Sequence, residues 1–428
     1  MNERESTALD RRTRWLEGPD SPIGSHDDER GGYFYAKDEL LVVEADFPRL
    51  ERVLAPLDIK VDHDHAGKLG VVRLRLGSGQ DASRLQVPEI LARVRAADQP
   101  QDRGGNGKQP ALRVGPNHVL SGEPEYEGGP YGPARPSVPE YEGGGSAAAN
   151  PAGSGGRTSR DSLIERLMRG RGRGKGVRVV VIDTGYTRNV HPVMDQRVRS
   201  TGTPELDAQP KDGQIDYEAG HGTFVAGCIL RHAPCASVEV VEVLGPAGYG
   251  TEHDIAQAIL DHPEADVINL SLGGYTDGDH VPWSLNAALQ KLRPQTAVVA
   301  AAGNNGASRP MWPAAFKRVV SVGAVDDRGQ QAPFSNFGWW VDVCTSAVDV
   351  VGPFPRYNEQ TNPGAVAPFF DGWALWSGTS FAAPKVAGEI AARCSLPFRY
   401  ASARAAGSSL INDPKRPHLP DLGTLLDL

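Results

Sequence analysis

The chain alternates between two kinds of hydrophobic pattern. Between residues 33 and 120 the apolar positions are sparse and periodic. "ELLVVEA" (39–45) reads as a short strand, and "DFPRLERVLAPL" (46–57) carries Leu50, Val53, Leu54 and Leu57 at helical spacing behind Asp46 as an N-cap. "GVVRLRLG" (70–77) alternates apolar and basic residues as a half-buried strand does. "VPEILARVRAA" (87–97) is a second amphipathic helix with Pro88 in its first turn, and "ALRVGPNHVL" (111–120) supplies a last strand. From about residue 161 the pattern changes. "VRVVVID" (177–183), "SVEVVEVL" (237–244), "DVINLSL" (266–272), "QTAVVAAA" (295–302) and "RVVSVGAV" (318–325) are nearly unbroken apolar runs, as expected of strands buried on both faces of a parallel sheet. Helical segments at 221–231, 252–262, 282–293 and 380–393 alternate with them. The order predicts an open, doubly wound α/β sheet with ligands at the carboxyl ends of its strands.

These patterns divide the chain. Residues 1–32 are polar and read as a mobile tail, and 33–120 form a small α+β module. Residues 121–160 are rich in Gly, Pro and Ser, contain "PEYEGG" twice, and read as a linker that cannot bury enough surface to fold. Residues 161–410 are the α/β domain and 411–428 a C-terminal tail. The net charge of −8 provides no basic field for nucleic acid. The first twenty residues are charged throughout and lack the apolar stretch of a secretory signal, and no apolar run is long enough for a bilayer, so a cytoplasmic chain without membrane contact is expected. Four cysteines, Cys228, Cys235, Cys344 and Cys394, are too few for a disulfide framework. "DHDH" (62–65) reads as a solvated turn for want of a third metal ligand, and "RGRGRGKG" (169–176) as a basic connector.

Three residues stand at the mouths of the sheet elements. Asp183 ends the first strand of the domain in "VVVIDTGY", His221 opens a helix in "HGTFVAGCIL", and Ser380 opens another in "SGTSFAAPKVAG". A buried aspartate needs a partner. An Asp–His pair fixes an imidazole to take a proton from a serine, whose place at a helix N-terminus puts N–H groups beside a developing oxyanion. The order Asp…His…Ser, with "DTG", "HGTFVAG" and "GTSFAAPKVAG" as they stand here, resembles the subtilisin-like serine proteases over residues 161–405.

The resemblance implies a serine endopeptidase acting through an acyl-enzyme, with Asp183, His221 and Ser380 as the catalytic residues and Asn304 of "AAGN" in the oxyanion hole. It implies that a polypeptide substrate lies extended between Gly248, Tyr249 and Gly250 on one side and Ser271, Leu272 and Gly273 on the other. Ala301, Ala302 and Gly303 form the far wall of the primary pocket, and Met311, with Trp312 beside it, falls near the pocket floor and makes it shallow. The α+β module has the size and element order of the family's propeptides, which implies an intramolecular inhibitor with its trailing segment, 115–122, in the cleft. No cofactor is required. Calcium binding remains possible, but the tight site that relatives carry after the catalytic-His helix is expected to be absent. The competing expectation is a catalytically silent peptide-binding scaffold of the same fold.

Overall fold

The computed structural model describes residues 12–65, 67–77, 85–98, 110–122, 134–136, 172–189, 191–208, 211–358, 369–395 and 400–428. The N-terminal half contributes β1 (Ile23–Asp28), β2 (Gly31–Val43), α1 (Phe47–Leu54), β3 (Val61–His63), β4 (Val71–Leu76), α2 (Val87–Ala97), β5 (Val114–Ser121) and the short β6 (Arg135–Pro136). The strand–helix reading of the sequence holds closely here, and α2 spans the residues its spacing predicts. The strands β1 to β5 pair antiparallel, and the two helices pack on one face, where Leu40, Val42, Leu50, Leu54, Val72, Leu74, Ile90, Leu91 and Val94 form a closed core. Each such side chain, fully removed from water, stabilises by about 1.5–3 kcal/mol.

Two expectations need correction in this half. Asp46 does not cap α1, since its carboxylate accepts instead from the Arg113 side chain at 2.7 Å and backbone at 3.2 Å. The stretch before residue 33 is not all tail: β1 pairs with β2 along its whole length, and Arg12 is buried.

The α/β unit follows as β7 (Arg178–Asp183), α3 (Pro192–Asp195), β8 (Val198–Ser200), α4 (His221–His232), β9 (Ser237–Glu242), β10 (Tyr249–Thr251), α5 (Glu252–Asp261), β11 (Val267–Leu270), α6 (Trp283–Lys291), β12 (Ala297–Ala301), β13 (Val319–Val325), β14 (Val343–Ser346), β15 (Val350–Asn358), β16 (Phe369–Trp376), α7 (Thr379–Arg393), α8 (Ala403–Ile411), β17 (His418–Leu419) and β18 (Gly423–Leu426). The central sheet runs β17-β18-β14-β13-β12-β11-β7-β9-β8, parallel except for the β17–β18 hairpin. The last residues are therefore not a tail, because β18 pairs in parallel with β14. Helices α4, α7 and α8 cover one face of the sheet and α5 and α6 the other, each over its own apolar core. The chain leaves β7 toward β9 and β8, and returns to its other side at β11. Asp183, at the carboxyl end of β7, lies at that reversal.

Part of the predicted linker is also placed. Arg135 and Pro136 pair with Leu375 and Ala374 of β16, while residues 123–133 and 137–171, with both "PEYEGG" copies, lie outside the described residues. The connector at 169–176 is tied down where described: Arg173 donates to the His232 carbonyl and pairs with Glu389 at 2.8 Å.

Candidate active site

Asp183 and His221 meet where β7 ends and α4 begins. The His221 Nδ1 donates to both Asp183 oxygens, at 2.8 and 3.0 Å, and both side chains are fully buried. Thr184 fixes the approach. Its backbone N–H donates to Asp183 Oδ1, and its hydroxyl accepts from the Gly222 N–H in the first turn of α4. Trp376 and Phe381 each stand 5.4 Å, centroid to centroid, from the His221 ring and exclude water from it. Burial alone pushes the imidazole pKa down. The Asp183 charge and hydrogen bond, helped by Glu218, reverse this and hold it above the ordinary histidine range.

Ser380 is the second residue of α7 and is buried. Asn304 follows β12. Its Oδ1 accepts from the Thr379 N–H and hydroxyl, both at 2.8 Å, which leaves Nδ2 as the group that can donate to a developing oxyanion. Beneath, the Ser271 hydroxyl donates to the Ser380 carbonyl at 2.8 Å and anchors the turn. Asp183, His221, Ser380 and Asn304 thus converge from four separate elements.

The two predicted cleft edges, 248–250 and 271–273, face each other, and the space between them is filled by the chain's own residues 119–122. Tyr249, Gly250 and Thr251 pair antiparallel with Ser121, Leu120 and Val119. On the other side the Ser121 N–H donates to Gly273 O at 2.9 Å and the Gly273 N–H to Ser121 O at 2.8 Å. The Gly122 N–H donates to Gly248 O at 2.9 Å. The Ser380 hydroxyl donates to the Gly122 carbonyl at 2.8 Å and lies 3.3 Å from Ser271 O. Among the described residues, His221 Nε2 has no hydrogen-bond partner. Asp183–His221 is therefore assembled, while the serine hydroxyl is held by a peptide carbonyl.

The two segments read from the sequence as pocket walls, 271–273 and 301–303, both come against Met311. Met311 is buried between them: an ideal Cβ on Gly273 would fall 2.9 Å from its methyl group, and one on Gly303 2.2 Å from its sulfur. Gly303 also has φ +105°, a conformation that favours glycine. Trp312 pairs with Gly274 beyond it.

Two residues beside the cleft were not singled out from the sequence. Glu218 lies three positions before His221, with its carboxylate fully buried. Burial raises its pKa, an effect opposed by the charges of His221 and Arg12. Arg12 comes from the polar N-terminal stretch, where nothing local distinguishes it. Its guanidinium lies 4.6 Å over the Tyr217 ring and 4.7 Å over the Tyr249 ring, and donates to Ser121 Oγ at 2.8 Å.

Asp183, His221, Asn304 and Ser380 lie within the segment, residues 174–405, that matches the subtilase family model, and the chain belongs to that family. It is 38% identical over 228 residues to a thermophilic serine proteinase of Bacillus sp. (strain AK1), covering 50% of this chain and 51% of that protein. It is 34% identical over 229 residues to Subtilisin Savinase of Lederbergia lenta, covering 51% of this chain and 76% of that protein. The match thus spans about half the length of the first relative. The fold is shared more widely. The structure of fervidolysin from Fervidobacterium pennivorans, described as a keratinolytic enzyme related to subtilisin, superposes with a TM-score of 0.61 at 21% identity, over 92% of this chain and 60% of that one.

Proposed function

We propose that the chain is a serine endopeptidase made in a self-restrained form. Asp183 orients and stabilises the imidazolium of His221. His221 takes the Ser380 proton as the hydroxyl attacks the substrate carbonyl, then gives it to the departing amine. The tetrahedral oxyanion is received by Asn304 Nδ2 and the Ser380 N–H, and water releases the acyl-enzyme. Substrate enters as an extended strand between 248–250 and 271–273, so its backbone is recognised before its side chains. Met311 limits the primary pocket to small or medium apolar residues.

The observation that carries this reading is the seating of Val119–Gly122 between both cleft edges with a carbonyl at Ser380 Oγ. It supplies an occupant with the backbone pattern a substrate needs, and it withdraws the serine hydroxyl from His221. The N-terminal module then acts as an intramolecular inhibitor whose covalent tether, giving an effective concentration on the order of mM, lets modest affinity suffice. Such restraint suits a protease dedicated to a substrate in its own compartment. No helix among the described residues is long and apolar enough to cross a membrane. The tight calcium site expected to be missing after the catalytic-His helix would have to fit between α4 and β9, where only residues 233–236 intervene, too few for the six or more oxygens calcium prefers; calcium elsewhere is compatible with this reading.

Full-length wild type should react with a fluorophosphonate, slowly while the cleft is occupied and faster once the module is removed, and Ser380→Ala should lose the reaction entirely. Equal labelling of the variant would remove Ser380 as nucleophile. A wild type that never labels, even without its module, would favour the peptide-binding scaffold.

A further inference from the structure

Asn336 lies in the connection between β13 and β14, on an element that carries none of Asp183, His221 and Ser380, and it is fully buried. Its main chain runs beside the segment that follows β12. The Gly306 N–H donates to Phe334 O at 2.7 Å, the Asn336 N–H to Gly303 O at 2.9 Å and the Phe337 N–H to Ala307 O at 3.1 Å. The Asn336 side chain then closes on the same segment. Its Oδ1 accepts from the Asn305 N–H and the Ala307 N–H, both at 3.0 Å, and its Nδ2 donates to Ala302 O at 3.0 Å. The Tyr275 hydroxyl, 3.4 Å from Nδ2, and the Met311 sulfur, at 3.6 Å, lie on the same donor side. Only this orientation of the amide fits. Turned over, it would set donors against two N–H groups and an acceptor against a carbonyl.

Ala302, Asn305 and Ala307 bracket Asn304. The Asn304 Oδ1 accepts from Thr379, so the direction of its Nδ2 depends on where the backbone on either side is held. That backbone is not an ordinary turn. Gly303 has φ +105°, and a Cβ there would fall 2.4 Å from Asn336 Nδ2. Most residues avoid this conformation, and a buried amide tied to both flanks fixes it. Without Asn336 the Asn305 and Ala307 N–H groups and the Ala302 carbonyl lose this partner, and buried polar groups left unpaired are costly.

We propose that Asn336 is the positioning residue of the oxyanion hole: by holding Ala302, Asn305 and Ala307 it aims the Asn304 Nδ2 at the developing oxyanion. The inference rests on the serine endopeptidase reading and adds to it a residue that touches neither the substrate nor the reacting atoms. Its contribution is pre-organisation, because a donor held in place before charge develops needs no reorganisation when it does.

The first test is a double-mutant cycle with a small peptide anilide as substrate. All chains are full length and carry Ser121→Pro, whose lost N–H weakens the cleft strand. Asn336→Leu should lower kcat about ten- to a hundredfold, up to the scale of losing an oxyanion donor, and leave KM within about threefold. In Asn304→Ala the donor is already gone, and adding Asn336→Leu should then cost less than about threefold. A purely structural asparagine would cost the same factor with or without Asn304. That outcome would overturn the proposal, as would an unchanged kcat. Asn336→Ser, which keeps a hydroxyl for one of the contacts, replaces the leucine variant if that chain does not fold, and should give the same pattern at smaller size. The second test needs no catalysis. A crystal structure of the full chain carrying Ser380→Ala and the folded Asn336 variant should show the Asn304 amide displaced from Thr379. An Asn304 that keeps both 2.8 Å contacts, beside a Gly303 of unchanged conformation, would overturn the proposal. If the parent chain shows no Ser380-dependent hydrolysis, the protease reading fails instead, and the crystal structure still decides the role of Asn336.

Discussion

The N-terminal half meets the α/β unit in two regions that work by different physics. In the cleft, Val119–Gly122 is held mainly by backbone hydrogen bonds on both edges, in a buried setting. On the flank the contact is made by charges. Arg73 pairs with Asp254 at 3.0 Å, Arg95 pairs with Asp277, the Gly278 N–H donates to Asp28 at 2.7 Å, and Arg309, braced by Asp279 at 2.6 Å, donates to Gly32 O. Several of these groups are exposed: Arg95 keeps 53% of its side-chain surface and Asp254 48%, so each pair is worth little alone. The difference divides the labour. Any extended peptide can offer the cleft a backbone, so blocking the site is not specific to this module. On the reading proposed above, the flank's charge pattern would set which strand arrives and in which register.

Breaking the cleft contact should have the largest effect. Ser121→Pro removes the N–H that reaches Gly273 and places a ring against the β11–α6 edge. Losing one or two ladder bonds, at about 0.5–1.5 kcal/mol each plus the cost of the unpaired Gly273 carbonyl, should raise the fluorophosphonate reactivity of the full-length chain about ten- to a hundredfold. Reactivity equal to wild type would mean that the strand does not limit access to Ser380.

The sequence singled out Asp183, His221 and Ser380 but not what lies against them, and the reason is physical. Asp183, His221 and Ser380 each sit where a local pattern, a buried strand end or a helix start, fixes the residue. The apolar runs of β7, β9, β11, β12 and β13 are readable because burial on both faces leaves no polar residue to confuse the period. By contrast, β1 reads "IGSHDD" because it is an edge strand with one covered side, and β18 is a short strand held by its partners β14 and β17. Asp46 looks like a cap until Arg113, distant in sequence, takes its carboxylate. Arg12 and Glu218 acquire meaning only through tertiary neighbours. Glu218 left a trace, an acidic residue three positions before the helix-opening histidine, and Arg12 left none.

In the proposed cleft, Met311, buried against Gly273 and Gly303, is the residue assigned to side-chain rather than backbone recognition. Met311→Gly should open the primary pocket and improve cleavage after phenylalanine or tyrosine about tenfold relative to cleavage after alanine, in line with the cost or gain of a few methylenes in an apolar pocket. A wild type that already cleaves best after large aromatics would place Met311 outside the pocket.

The flank should respond to salt where the cleft does not. Raising ionic strength from about 0.05 to 0.5 M shortens the Debye length severalfold, and should raise the labelling rate of the full-length chain about two- to fivefold. In a chain carrying Arg73→Ala, Arg95→Ala and Arg309→Ala the low-salt rate should already be raised and the salt response flattened. A salt response that survives all three substitutions would move the charge-coded contact elsewhere.

The smallest effect is on pH and isolates Glu218 from the ladder. His221 must be neutral to accept the Ser380 proton. Its pKa, pushed down by burial, is held above the ordinary range by Asp183 and, in smaller part, by Glu218. In the released Ser121→Pro chain, labelling should therefore rise with pH along an acid limb whose midpoint lies above the ordinary histidine value near 6.5. The stability contribution has the opposite sense: a histidine whose pKa is raised on folding stabilises the fold fully below its unfolded pKa, and that contribution is lost as pH rises through the folded one. The chain is thus most competent where this pair stabilises it least. Removing a negative neighbour makes the imidazolium easier to deprotonate, so Glu218→Gln should move the acid limb to lower pH while leaving the plateau rate for small substrates in place. Asp183→Asn, which takes away the larger influence and the hydrogen-bond acceptor, should collapse the plateau as well. An acid limb that stays put in Glu218→Gln would mean that Glu218 is already neutral when His221 titrates, and that its charge is not felt at the nucleophile.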